Sequence, residues 1–149
     1  MNIKSGAGYP ASALSNFAPH PFVVDGVECA SMEGFLQSLK FSNPAVQRQV
    51  CSLVGKVAKS RGAKKNWQRT QTLYWKGNPI HRTSRGYQTL LDDAYLALSK
   101  NDKFRRALIA TGNATLTHSI GRKKQSETVL TVQEFCSRLH TLRDHYYAS

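Results

Sequence analysis

Residues 14–41 read LSNFAPHPFVVDGVECASMEGFLQSLKF, and they decide how the rest of the chain is arranged. A polar-aromatic turn, Leu14-Ser15-Asn16-Phe17, leads into two short apolar runs, Phe22-Val23-Val24 and Val27-Glu28-Cys29. Between them stands Asp25-Gly26, a dipeptide suited to the positive φ angles of a type I′ turn, so a tight β-hairpin is expected. Ser31 then reads as the N-cap of a helix over residues 32–41. Met32, Phe35, Leu36 and Leu39 follow the i, i+3, i+4, i+7 spacing of a buried helix face. Glu33, Gln37 and Lys40 fall on a second stripe, so a carboxylate, an amide and an amine point the same way from one rigid element. An ordinary solvated face with a Glu-to-Lys pairing produces the same spacing.

The joint pattern resembles the signature of the NADAR (YbiA-like) family: S-N-F, then P-[FI]-x-[VL]-x-G, then [ST]-x-E-x-x-x-Q-x-x-K-F. The chain matches it at Ser15-Asn16-Phe17, from Pro21 to Gly26, and at Ser31, Glu33, Gln37, Lys40 and Phe41. The family usually carries His directly after the glutamate; here that position is Gly34.

Working outward, 149 residues with 40% hydrophobic content fit one folded domain over residues 1–149, with residues 1–13 irregular. No apolar run approaches the ~20 residues that span a bilayer, and no signal-peptide segment opens the chain, so a cytoplasmic protein is expected. The three cysteines, Cys29, Cys51 and Cys136, match no ligand spacing and read as free buried thiols. The five histidines are equally scattered, so neither a metal nor a cofactor is expected. The formal net charge of +12 favours polyanionic partners. It is uneven: residues 34–91 contain eleven Lys or Arg and no acidic residue.

Asn43-Pro44 starts a second helix, read as running to about Ser60 with Val46, Val50, Leu53, Val54 and Val57 inward and ended by Arg61-Gly62. Residues 63–86 are basic and aromatic and read as a long loop. Its Trp67 and Trp75 either stack on a base or plug the core, and its Arg82 is a candidate for a substrate phosphate. Ser84 caps a helix over 86–100, Asp102 one over 103–111, and Gly112 stops the latter at C′. Thr131 and Glu134 form a capping box for a last helix through about His145. Five helices and one hairpin give an α+β, mainly α domain, with the hairpin expected beside the last helix.

The segment 108–113 resembles the family's L-L-x-T-G, and Leu116-Thr117-His118 its L-x-[EH] block. Beyond it the family's W-G-x-G is replaced by Ser119-Ile120-Gly121-Arg122-Lys123-Lys124. The resemblance implies an N-glycosidase, a hydrolase that cleaves between a ribose C1″ and a nitrogen. Its first substrate reading is ADP-ribosylated guanine in DNA or RNA, as in reversal of a toxin's modification or phage counter-defence. Phosphoribosylamine intermediates of riboflavin synthesis are the second, and a non-catalytic ADP-ribose or nucleic-acid binding module is the third.

Cleavage of this kind builds positive charge on the ribose and needs an anionic partner and a proton-transfer group. Glu33 is the candidate for that role. Lys40 either holds a phosphate or attacks C1″ as a Schiff-base amine. Asn16 and Gln37 fix ribose hydroxyls; Phe17 and one tryptophan sandwich the base; Gly112 and His118 complete the substrate-binding set. Asp92 and Asp93 are alternative acids or bases.

Overall fold

The computed structural model describes residues 1–148. The chain opens with a segment that is more ordered than its composition implied. Asn2 makes a parallel bridge with Thr117, Ile3 N–H donates to the Thr117 carbonyl at 2.8 Å, and a short helix α1 follows at Ala11–Leu14. The hairpin strands β1 (Phe22–Val24) and β2 (Val27–Cys29) pair antiparallel, Val24 opposite Val27. Asp25 (φ 50°) and Gly26 (φ 75°) make the left-handed turn that their sequence announced.

Helix α2 (Met32–Ser38) buries Met32, Phe35 and Leu36, with Leu39 just past its end, in the middle of the molecule. It stops earlier than residue 41 because residues 39–41 tighten into a turn, Lys40 N–H donating to the Gln37 carbonyl. The helix expected from residue 44 to about 60 is two helices, α3 (Pro44–Cys51) and α4 (Gly55–Ala63). The break at 52–54 lets the Leu53 carbonyl accept from the Ser31 hydroxyl at 2.9 Å, and Gly55 (φ 54°) redirects the chain. Of the apolar face expected there, Val50 is fully buried, whereas Val54 and Val57 are exposed. Val57 is 63% exposed, and α4 faces α2 through the small residues Ala58 and Gly62.

Residues 63–86 are not one loop. A 3₁₀ turn at Trp67–Arg69 precedes a second antiparallel hairpin, β3 (Thr72–Trp75) and β4 (Asn78–His81), closed by Lys76 (φ 53°) and Gly77 (φ 83°). Pro79 in β4 disguises it, since proline cannot donate to a ladder and is tolerated only on such an edge. Gln47 fastens this hairpin to the centre: its Nε2 donates to the carbonyls of Ser38 (3.0 Å) and Tyr74 (2.8 Å), and its Oε1 accepts from Lys76 N–H. Trp75 adds a second tie, donating from Nε1 to Asp25 at 2.9 Å with its ring 5.3 Å from Phe35.

Helix α5 (Arg85–Ser99) is capped by Ser84 and buries Tyr87, Leu91, Ala94 and Tyr95. Helix α6 (Asp102–Ala110) is capped by Asn101, whose Oδ1 accepts from Phe104 N–H; Asp102 lies one residue inside and pairs with Arg105 and Arg106 instead. Helix α7 (Val132–Ala148) opens with the expected box, Glu134 accepting from Thr131 N–H and the Thr131 hydroxyl from Glu134 N–H. The first hairpin rests on α5 and α3, while α7 rests on α5 and α6, so the two are not the neighbours expected. The mainly α, α+β class stands, with seven α-helices and two hairpins among the described residues. One core cluster runs from Ile3 to Leu139 and takes in all three cysteines, which are free and buried. None of the described helices is long and apolar enough to cross a membrane.

Candidate functional site

The S-N-F turn and the start of α2 are built as one unit. Glu33 N–H donates to the Asn16 carbonyl at 2.9 Å, and Gly34 N–H to the Ser31 hydroxyl at 3.0 Å, so two orphan donors of the first turn are satisfied. The buried Tyr95 hydroxyl donates to Asn16 Oδ1 at 2.8 Å, which leaves the Asn16 NH₂ group as that side chain's free donor. Burial raises the Tyr95 pKa well above its ordinary value, so this hydroxyl stays a donor at neutral pH.

A pocket of about 280 Å³ opens beside this unit. Ser15, Asn16 and Phe17 form one side, Glu33, Leu36 and Gln37 the α2 side, and Lys59 of α4 the rim. The far side comes from His118 and residues 120–122, from residues 128–130, and from Phe135 at the start of α7. Glu33 Oε2 accepts from Gln37 Nε2 at 2.7 Å, and the Gln37 Oε1 is buried with no hydrogen-bond partner. Gly62 explains that amide's placement, because a Cβ there would collide with it.

Burial pushes the Glu33 pKa up, against the pull of Gln37, Lys40, Lys59 and His118. The carboxyl is thus held closer to neutrality than a surface glutamate, with two cations, Lys59 and Arg122, also lining the cavity. His118 Nδ1 lies 2.7 Å from the Ile3 carbonyl, and its ring meets Phe135 edge-on at 5.2 Å.

Of the residues singled out in the sequence, Asn16, Phe17, Glu33, Gln37 and His118 therefore meet in one cavity. The others lie elsewhere. Lys40 sits a turn beyond Gln37, its Nζ 3.4 Å from the Gly62 carbonyl; burial lowers its pKa, against the pull of Glu33. Trp67 and Trp75 are core side chains, 4% and 7% exposed. Arg82 is fully buried and forms a two-pronged pair with Glu134, its Nε donating to the Thr128 carbonyl at 2.8 Å. Gly112 (φ 59°) ends α6 as a C′ residue. Asp92 pairs with Arg138 at 3.0 Å, and Asp93 is exposed on the outer side of α5.

Sequence reading passed over Lys59 and Arg122, which are indistinguishable by type from the many other cations of this chain. Among the described residues no three His, Cys, Asp or Glu side chains gather as metal ligands do. A wider groove of about 730 Å³ runs along the first hairpin, but its one carboxylate, Glu28, is solvent-exposed, so acid–base chemistry belongs to the smaller cavity.

Gly34 sits under the α3–α4 connection, where a Cβ would run into the Leu53 carbonyl and meet those of Cys51 and Val50 at 3.0 Å. The position at which the NADAR pattern has His is here a backbone crossing.

The family model for bacteriophage protein GP30.3 matches residues 8–144. An uncharacterized 17.1 kDa protein from the Gp30-rIII intergenic region of Enterobacteria phage T4 is 40% identical over 149 residues, 97% of each chain. The NMR structure of the Escherichia coli protein YbiA superposes with a TM-score of 0.63 at 19% identity, over 99% of this chain and 84% of that one.

Proposed function

The chain belongs to the bacteriophage GP30.3 protein family and has the YbiA fold, and on that premise we propose that it is an N-glycosidase hydrolysing a ribose–nitrogen bond. The observation that carries this reading is Glu33, a carboxyl whose pKa burial raises, inside a cavity of about 280 Å³ with cations on its lining. A carboxyl whose hold on its proton is strengthened by burial can hand that proton to the departing nitrogen, and the carboxylate left behind faces the charge that develops on the ribose. The Asn16 NH₂ group is unengaged and supplies a donor for a ribose hydroxyl, while Gln37 holds Glu33 in place through Nε2. Phe17 offers a flat face to the base, and Lys59 and Arg122 neutralise phosphate.

The favoured substrate is ADP-ribosylated guanine in DNA or RNA, since the net charge of +12 extends the attraction well beyond the pocket. The cavity accepts the scissile ribose and leaves the rest of such a substrate on the basic surface. Its modest 280 Å³ also favours a second reading, a small phosphoribosylamine held whole.

Incubation with an oligonucleotide carrying ADP-ribosylated guanine, read by gel shift and mass, tests the first. Release of ADP-ribose with restored guanine, lost in Glu33→Gln, is the expected result. A steep fall of kcat/KM with salt marks a polynucleotide substrate, whereas a flat response with turnover of phosphoribosylamines supports the second reading. Tight ADP-ribose binding without turnover, unchanged in Glu33→Gln, would make the protein a binding module.

A further inference from the structure

Beyond Glu33, one titratable group in the cavity is held ready and left unused. Its neighbour Ile3 offers only a backbone carbonyl at Nδ1, and a carbonyl accepts but never donates. The proton of neutral His118 therefore sits on Nδ1, and Nε2 carries the lone pair. Nε2 makes no hydrogen bond to any described residue, and the side chain is part of the pocket wall. The ring cannot easily turn away. Phe135 meets it edge-on, and Gly121 lies so close that a Cβ there would strike His118 Cδ2. The turn that carries it is closed by Gly121 N–H donating to the His118 carbonyl at 3.0 Å. Ile3 itself is immobilised, fully buried and bonded through its N–H to the Thr117 carbonyl. A fixed tautomer, a locked ring and an open lone pair are the three requirements of an oriented base.

We propose that His118 is the general base of this site, activating the water that attacks the ribose C1″ while Glu33 protonates the leaving nitrogen. The proposal rests on the N-glycosidase reading above. The water oxygen bonds to C1″ as one of its protons passes to His118 Nε2. The C1″–N bond breaks with its electron pair on nitrogen, and that nitrogen takes the Glu33 proton. Imidazolium and carboxylate then return to their resting forms by passing one proton through solvent, so the net reaction consumes one water. The charged groups that face His118 in the pocket are Glu33 from α2, Lys59 from α4 and Arg122 from its own turn. The remaining walls, residues 128–130 and Phe135, carry none. Two acid–base groups in unlike surroundings divide the two roles: Glu33 is desolvated, while His118 is oriented by a carbonyl.

The test is the pH–rate profile of hydrolysis, with ADP-ribose binding followed by calorimetry. His118→Asn keeps a donor for the Ile3 carbonyl but has nothing in place of Nε2, and His118→Gln is the second variant. We expect kcat to fall by about 10²–10⁴-fold in both. KM and ADP-ribose affinity stay within about threefold, and the acidic limb of the wild-type kcat profile disappears. Added imidazole restores part of the rate in His118→Asn. Wild-type kcat and an unchanged acidic limb in variants that still bind ADP-ribose would overturn the assignment and leave the N-glycosidase intact. Loss of affinity equal to the loss of rate would make His118 a binding residue only. A wild type inert on every N-riboside would overturn the N-glycosidase reading itself, and the base with it.

Discussion

Alanine in place of Gly34 sets two effects of opposite sign against each other. In a helix, glycine-to-alanine is favourable by up to about 1 kcal/mol, because alanine has less backbone freedom to lose on folding. At Gly34, however, the new Cβ falls inside contact distance of the Leu53 carbonyl and 3.0 Å from those of Cys51 and Val50. These are backbone atoms of a connection fixed at both ends, by the Ser31 hydroxyl on Leu53 and by Ala30 N–H on Cys51. They cannot step aside as a side chain would, so the upper part of the ~1–3 kcal/mol overpacking range applies. The net expectation is a loss of about 1–2 kcal/mol, or roughly 2–8 °C in Tm for a chain of this length. Gly86 is the control. Like Gly34 it lies in the first turn of its helix, so the backbone gain is comparable, but its Cβ would meet only the Ser84 hydroxyl at 3.8 Å. Gly86→Ala should raise Tm by a few degrees at most. Thermal melts followed by circular dichroism, with urea midpoints as a second measure, decide the matter. If Gly34→Ala were as stable as Gly86→Ala, the crowding argument would fail, and with it the reason why histidine is absent from this position.

Glu33→Gln should abolish turnover yet melt higher than the wild type at neutral pH. Its folded pKa is raised, so its contribution to stability is complete below the ordinary carboxyl range and is lost as pH rises through the raised value. A Tm difference that fails to open with pH would contradict this. Gly62→Ala strikes the flexible end of Gln37 rather than backbone, so Tm should change by only a few degrees while the displaced amide releases Glu33 and kcat/KM falls at least tenfold. Equal kcat/KM in the two proteins would remove Gln37 from the site. Arg82→Met strands Glu134 and should cost about 3–5 kcal/mol in urea unfolding, whereas Arg82→Met with Glu134→Leu should cost clearly less. Burial works to raise the Glu134 pKa, but hydrogen bonds from Arg82, Gln88 and Thr131 outweigh it and hold the group at about 2. The wild type should therefore lose this stability as pH falls from about 4.5 towards 2, and the double variant should be insensitive in that window.

The parts that sequence made legible are those in which a few adjacent residues carry the whole physical cause. Asp25-Gly26 is its own turn, Thr131 and Glu134 are their own cap, and the spacing of Met32, Phe35 and Leu36 is the buried face of α2. Where the cause is tertiary, the local pattern misleads. Residues 46–57 keep helical valine spacing through a break, because α3 ends where Leu53 docks on Ser31 and Gly55 turns the chain at positive φ, a signal that the valine spacing masks. The second hairpin hides behind Pro79, and its Lys-Gly turn lacks the side chain that makes Asp-Gly conspicuous. Arg82 reads as a phosphate ligand by type, yet its partner Glu134 lies across the fold. The pocket divides the same way. Its α2 side follows from one motif, while Lys59, Arg122 and residues 128–130 join it only once the chain has closed.

Burial of Glu33 and the glycines of this fold have a common origin. Gly34 lets the α3–α4 connection cross directly over α2, and Gly62 lets α4 press on Gln37, on the same stripe as Glu33. Each contact brings protein where water would otherwise stand, and lost water is the largest cause of the raised Glu33 pKa. A larger residue at Gly62 would displace the Gln37 amide, whereas one at Gly34 would push the α3–α4 connection away and readmit solvent to the carboxyl. The acid would then ionise at lower pH and have less of its protonated form to offer at neutrality. Dryness at Glu33 is therefore a property of helix spacing, set in part by a residue, Gly34, that does not line the cavity. A raised carboxyl pKa, measured by ¹³C NMR in the wild type and falling towards the ordinary range in Gly34→Ala, is what this coupling requires. An unchanged value in a Gly34→Ala protein that has lost stability as expected would assign the shift to the pocket lining alone.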